Sequence, residues 1–232
     1  MNSNFIEPIT IASSLFNKYY KNKNHDLITY RSDYILMTLL IENQIQLDAH
    51  LFRNDLFCGM LILDESEKTI VHNSSHSEEK RNFTIAHELG HYYLHKDKQS
   101  QFVDETTNML DNSNLIFEQQ ANAFAAELLL PQDVLSLMFS YRYNFFRIAK
   151  ITRVSYECLH WRLVTYLKQK LSLNKKESLL IIENYVECSK TKSQEKASIF
   201  NIVFMFGYTP AVRSEVLRLE EIVNSQLKGI PL

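Results

Sequence analysis

Apolar positions recur at helical spacing from about Ile9 to Tyr20 and again from about Ser32 to Glu42, and the polar run Lys21-Asn22-Lys23-Asn24-His25-Asp26 separates these two predicted helices. The period then changes. Ile45 to Ala49 alternates apolar and polar, Phe57 to Leu63 is apolar, and Ile70-Val71-His72 resumes after Asp64-Glu65-Ser66-Glu67-Lys68. Three strands of a small twisted sheet, antiparallel or mixed, are expected. An exposed edge of such a sheet binds an extended peptide through backbone hydrogen bonds, and Ile70 to Asn73 is the candidate edge. The alternative is a hairpin that only covers the core.

The helical period returns from about Glu78 to His95. Ser75 stands three residues ahead of Glu78, as in a capping box, and Glu78 and Glu79 suit the positive end of the helix dipole. A second periodic segment, Asn114 to Leu130, is stopped by Pro131. Between them, Lys96 to Ser113 is polar and long for a connection, as a lid, a binding loop, a disordered segment or a plain spacer would be. From Phe145 to Tyr166 the spacing of Ala149, Val154-Ser155 and Leu159 approaches that of a helix-turn-helix. Arg153 replaces the usual turn glycine, and Ser155 to Leu167 mixes Glu157 with Arg162 instead of presenting a basic face, so direct contact with nucleic acid is not expected. Tyr156 and Trp161 are expected in the core. After Leu171 the character is helical, with a start at Thr209-Pro210 and an apolar stretch, Ile199 to Tyr208, expected to pack inward.

Candidate chemistry sits on the two central helices. In His87-Glu88-Leu89-Gly90-His91 the imidazoles stand one turn apart, and Phe83, His87, Gly90, His91 and Leu94 share one face. Two histidines leave a zinc site incomplete, because a catalytic zinc keeps three protein ligands and a position for water. Glu118 can supply the third. It shares a face with Ala121, Asn122 and Ala125, where small alanines permit close packing, and Asn122 can accept the outer N–H of a ligand imidazole. Glu88 is turned by about 100° from His87, which places it beside the water as general base and not on the ion. Gly90 costs its helix about 1 kcal/mol against alanine, so either another backbone or a substrate approaches closely there or the glycine is a tolerated defect. Glu127 projects from the opposite side of its helix and is left out. His95 lies about 12 Å along the axis from His87 and roughly 80° around it, which makes it structural or substrate-facing. His72 and His76 precede the helix, but nothing in their spacing assigns them a role.

Phe83-Thr84-Ile85-Ala86-His87-Glu88-Leu89-Gly90-His91-Tyr92-Tyr93-Leu94-His95, then Glu118 to Ala125, then Glu127-Leu128-Leu129-Leu130-Pro131 resemble the ImmA/IrrE-type metallopeptidases over roughly Ile35 to Leu167. The resemblance implies zinc ligands at His87, His91 and Glu118 and a catalytic carboxylate at Glu88. It also implies an α+β fold with a zincin-like catalytic domain over residues 1–171, including the helix-turn-helix-like segment at about 145–167. A helical appendage would follow over 172–232. Family members are associated with relieving repression by helix-turn-helix repressors, commonly by site-specific cleavage, in mobile-element induction or stress responses. Such a repressor is therefore the expected partner. The rival readings are an antirepressor that acts by binding alone and, behind it, a DNA-binding transcription regulator that uses Phe145 to Tyr166. One Zn2+ is the expected cofactor, although imidazole and carboxylate also accept Mn2+ or Fe2+.

Composition narrows this picture. The 232 residues, 45% hydrophobic and 22% charged, can bury a substantial core. A net charge of −2 gives no overall attraction for nucleic acid or an anionic membrane. Cys58, Cys158 and Cys188 lack metal or redox spacing, and their odd number argues for reduced thiols. There is no 18-residue apolar run and no basic-then-apolar N-terminus, so a cytoplasmic location without membrane contact is expected. Oligomeric state is not legible.

Overall fold

The computed structural model describes residues 5–23, 25–64, 67–98, 101–105 and 112–190, together with 214, 217, 218 and 221. The chain is α+β and forms two compact units. The first comprises Met1–His25, Arg31–Pro131 and Arg153–Ser155, and the second Asp26–Tyr30, Gln132–Thr152 and Tyr156–Leu232.

In the first unit, α1 (Ile6–Tyr19) and α2 (Ser32–Glu42) precede strands β1 (Gln46–His50), β2 (Phe57–Leu63) and β3 (Lys68–Asn73). Then come α3 (Glu78–His95), β4 (Gln101–Glu105) and α4 (Asn112–Leu129). The sheet order is β1-β3-β2-β4, with β1 parallel to β3 and the other pairs antiparallel, so the sheet is mixed. This corrects the candidate edge. β3 is central, paired with β1 from Gln46↔Thr69 to His50↔Asn73 and with β2 from Gly59↔His72 to Leu63↔Lys68. Its apolar residue Ile70 is fully buried, as befits a strand flanked on both sides, while β1 at the edge is largely exposed.

The segment expected to be a loop also contains a strand. β4 pairs with β2, Phe102 opposite Leu61 and Val103 opposite Met60, and so covers an edge that would otherwise present unpaired backbone groups. The periodicity of five residues in a polar stretch is too short to announce such a strand.

Helix α3 spans Glu78–His95 as expected, but its cap stands two residues later than the capping-box expectation. Ser77 is the N-cap, its hydroxyl accepting from the Lys80 N–H at 3.3 Å, whereas Ser75 donates to Asn73 Oδ1 at 2.8 Å and stabilises the preceding turn. α3 contacts α4 and also strands β2 and β3. At Gly59 on β2, an added Cβ would run into Thr84 Cγ2 and lie 2.7 Å from the Val71 carbonyl oxygen, so the absent side chain lets the helix settle on the sheet. A clip holds the start of α3. Arg153 Nη1 donates to both Glu78 oxygens at 3.0 and 2.8 Å, and the Arg153 carbonyl accepts from Asn82 Nδ2 at 3.2 Å. Arg153 has φ 58°, the left-handed conformation for which a turn glycine is usual. The arginine therefore carries strain of about 1–2 kcal/mol that these bonds offset.

The second unit contains α5 (Gln132–Ser140), α6 (Phe145–Thr152), α7 (Tyr156–Lys170) and α8 (Lys175–Lys190). α8 opens with a reciprocal cap: Glu177 N–H donates to Asn174 Oδ1 at 3.0 Å, and Asn174 N–H to Glu177 Oε2 at 2.8 Å. On α7 the buried positions are Cys158, Leu159, Arg162, Leu163, Val164, Tyr166 and Leu167. Trp161 falls on the other face and is 49% exposed, while Tyr156 is the first residue of the helix and, at 59% exposed, rests its ring against Phe145 and Phe146, so neither is the core position expected. The Trp161 ring instead carries Lys175 Nζ at 5.8 Å from its centroid. The Thr209-Pro210 helix start and the apolar stretch 199–208 lie outside the described residues.

Candidate metal centre

The packing of α3 on α4 begins at Gly90. A Cβ there would lie 3.0 Å from Ala121 Cα and 3.1 Å from the Ala121 carbonyl oxygen, so the two backbones meet where neither residue carries bulk. Of the two readings of this glycine, close backbone approach is the one observed.

This approach brings three donors together. His87 and His91, both buried, have ring centroids 4.7 Å apart and Nε2 atoms 3.0 Å apart. Glu118 Oε2 lies 3.0 Å from His87 Nε2, and Oε1 lies 3.2 Å from His91 Nε2. One ligand atom from each residue falls within 4.8 Å of the others, which among the described residues makes this the cluster able to hold an ion. Donors about 2.0–2.1 Å from a tetrahedral zinc stand roughly 3.3 Å from one another. The residues present fit a divalent ion. Glu118 has a side chain 34% exposed and Asn122 is exposed, so the cluster opens to solvent along this face of α4.

Its electrostatics favour the same use. Burial alone would raise the Glu118 pKa, but hydrogen bonds from His87 and His91 outweigh it and hold the carboxyl well below its usual range. Burial lowers His91 to about 4, more than its hydrogen bond to Glu118 restores. At neutral pH the site thus presents a carboxylate and a neutral imidazole, the protonation states that a metal requires.

Neighbouring groups orient the imidazoles. His87 Nδ1 is 3.0 Å from Asn122 Oδ1, one turn after Glu118. Glu88, next to His87 on α3, is fully buried. Glu127 is also buried but turns away, its Oε1 accepting from Ser13 Oγ on α1 at 3.2 Å. His76 Nε2 lies 3.0 Å from the Asp55 carbonyl oxygen, and His72 is buried on β3 with its pKa lowered by that burial. Sequence reasoning missed the environment of His95, whose Nδ1 lies 3.1 Å from His91 Nδ1 and whose Nε2 lies 3.0 Å from Gln120 Oε1. The signal was present, since His95 is four residues from His91 and therefore on its face. Measuring it against His87 hid the relation.

Residues 42–164 match the IrrE N-terminal-like domain, a peptidase family. The chain belongs to this family. The matched span contains both motif helices and all three candidate ligands. Metallopeptidase ImmA of Bacillus subtilis (strain 168) is 32% identical over 98 residues, which cover 41% of this chain and 56% of that protein. Uncharacterized immunity region protein 2 of Bacillus phage phi105 is 34% identical over 110 residues, covering 47% of this chain and 68% of that protein. Family membership therefore makes this a metallopeptidase-family protein with a relative in a phage immunity region. Among the described residues, no single helix is long and apolar enough to cross a membrane.

Proposed function

We propose that the chain is a zinc-dependent endopeptidase that cleaves a helix-turn-helix transcriptional repressor and so relieves repression in the cytoplasm. The observation that carries the chemistry is the convergence of His87 Nε2, His91 Nε2 and a Glu118 oxygen at separations suited to one ion. The family match and the immunity-region relative support the choice of substrate.

A divalent ion held by these three residues supplies Lewis-acid polarisation of a carbonyl and brings the pKa of water towards about 7. The chain's own groups do the rest. Glu88 accepts the proton of the attacking water and returns it to the leaving amine as the C–N bond breaks. Its burial keeps bulk water from competing for that proton, and its place beside His87 on a rigid helix fixes its reach. Asn122 Oδ1 accepts from His87 Nδ1–H, which leaves Nε2 with its lone pair for the ion. Direct DNA contact is not part of this reading: Arg162 on α7 is 2% exposed and cannot reach a phosphate.

The test is incubation of the purified protein with the repressor encoded nearest its gene, with and without a chelator, followed by fragment masses. Cleavage at one peptide bond that requires metal is expected, and Glu88→Gln should keep zinc but lose cleavage. Undiminished derepression in cells by Glu88→Gln, without fragments, would replace cleavage by association.

A further inference from the structure

We propose that His95 and Gln120 form a directed hydrogen-bond support that positions His91 as a metal ligand. This inference rests on the reading of His87, His91 and Glu118 as a metal site.

His91 Nε2 faces both His87 and Glu118, so Nε2 is its ligand atom. A neutral imidazole that ligates through Nε2 carries its proton on Nδ1, and that proton needs an acceptor because His91 is 1% exposed. His95 Nδ1 lies within reach of it, at 3.1 Å. To accept there, a neutral His95 must carry its own proton on Nε2, which lies 3.0 Å from the side-chain oxygen of Gln120. An amide oxygen only accepts. Ligation through His91 Nε2 thus directs the bonds from His91 to His95 and from His95 to Gln120.

Packing holds the relay in place. His95 is 1% exposed, and its ring lies against Phe117 with centroids 4.4 Å apart and planes inclined by 32°. Lys98 Nζ sits 4.8 Å from the Phe117 centroid. Residues 117, 118, 120 and 122 of α4 thus serve both imidazoles: Asn122 receives His87 directly, and Gln120 receives His91 through His95. His95 and Gln120 are positioning residues that act through His91.

Zinc affinity of the full chain, measured by competition with a chromophoric chelator, tests this without reference to peptide cleavage. His95→Phe keeps the ring but removes the acceptor, and it should weaken zinc binding by about 10–100-fold. His95→Asn, whose side-chain oxygen can stand where Nδ1 stands, should restore most of the loss. In zinc-loaded wild type, imidazole 15N spectra should place the proton on Nδ1 of His91 and on Nε2 of His95. Gln120→Leu leaves α3 intact and should disturb the His95 tautomer even if His95→Phe fails to fold. Equal losses in His95→Phe and His95→Asn, or a His95 proton on Nδ1, would overturn the proposal. Wild-type chain that binds no zinc would instead overturn the metal-site reading, and this inference with it.

Discussion

Gly90→Ala puts a single methyl group into the contact that sets the spacing between the two motif helices. Its Cβ would lie 3.0 Å from Ala121 Cα, 3.1 Å from the Ala121 oxygen and 3.2 Å from Phe124 Cδ1. Two of these three obstacles are backbone, so relief requires α4 to shift by a few tenths of an ångström. Alanine gains about 1 kcal/mol of helix propensity over glycine, while overpacking a close contact costs about 1–3 kcal/mol. The balance is a net loss of about 1 kcal/mol, or roughly 2–4 °C in melting temperature for a chain of this size. The metal-free protein can relax by letting the helices part, but metal ligands tolerate only about 0.2 Å. If the same 1 kcal/mol is felt on loading, zinc affinity falls by about fivefold. Thermal unfolding with and without zinc, together with chelator competition, reads both quantities. A variant with a higher melting temperature and unchanged zinc affinity would show that α4 yields freely and that Gly90 does not set the donor spacing.

Acid should destabilise the metal-free protein. His91 titrates near 4 when folded against about 6.5 when unfolded, so the unfolded chain binds the extra proton and stability falls from pH 6.5 down to about 4, by roughly 3 kcal/mol in all. Glu118, held below its usual range, adds loss of the same sign below about pH 4.5. Urea midpoints in chelator that stay flat or rise on acidification would refute this. Asn122→Ala should weaken zinc binding by about tenfold at least, measured by chelator competition, because His87 loses the acceptor that fixes its ring; unchanged affinity would remove Asn122 from the site. Burial pushes the Cys158 thiol up to about 12, so iodoacetamide at pH 8 should label the half-buried Cys188 well before Cys158. Equal labelling by mass spectrometry would contradict that burial.

Much of the site was legible because its parts are local. His87 and His91 are one turn apart on one helix, and Glu118 and Asn122 one turn apart on another, so the 3.6-residue period alone aligns each pair. Gly90 even signalled the approach of the second helix. What the sequence left hidden depends on partners distant along the chain. β4 is five residues whose identity as a strand comes from the edge that β2 offers, and β3 is central because β1 pairs with it in parallel. Neither relation leaves a period to read. Tyr156 and Trp161 look like core residues by type, but Trp161 lies opposite the buried face of α7 and Tyr156 stands at the open first turn of that helix. The cap of α3 was displaced for a subtler reason: Ser75 and Ser77 both suit a cap, and the turn bonded through Asn73 takes the first of them.

The central claim is that His87, His91 and Glu118 converge on one divalent ion. Anomalous diffraction at the zinc edge, from crystals of zinc-loaded protein, tests it most directly. The account predicts one strong peak about 2.0–2.2 Å from His87 Nε2, His91 Nε2 and a Glu118 oxygen. A zinc peak bound elsewhere, with these three side chains still bonded only to one another, would contradict it.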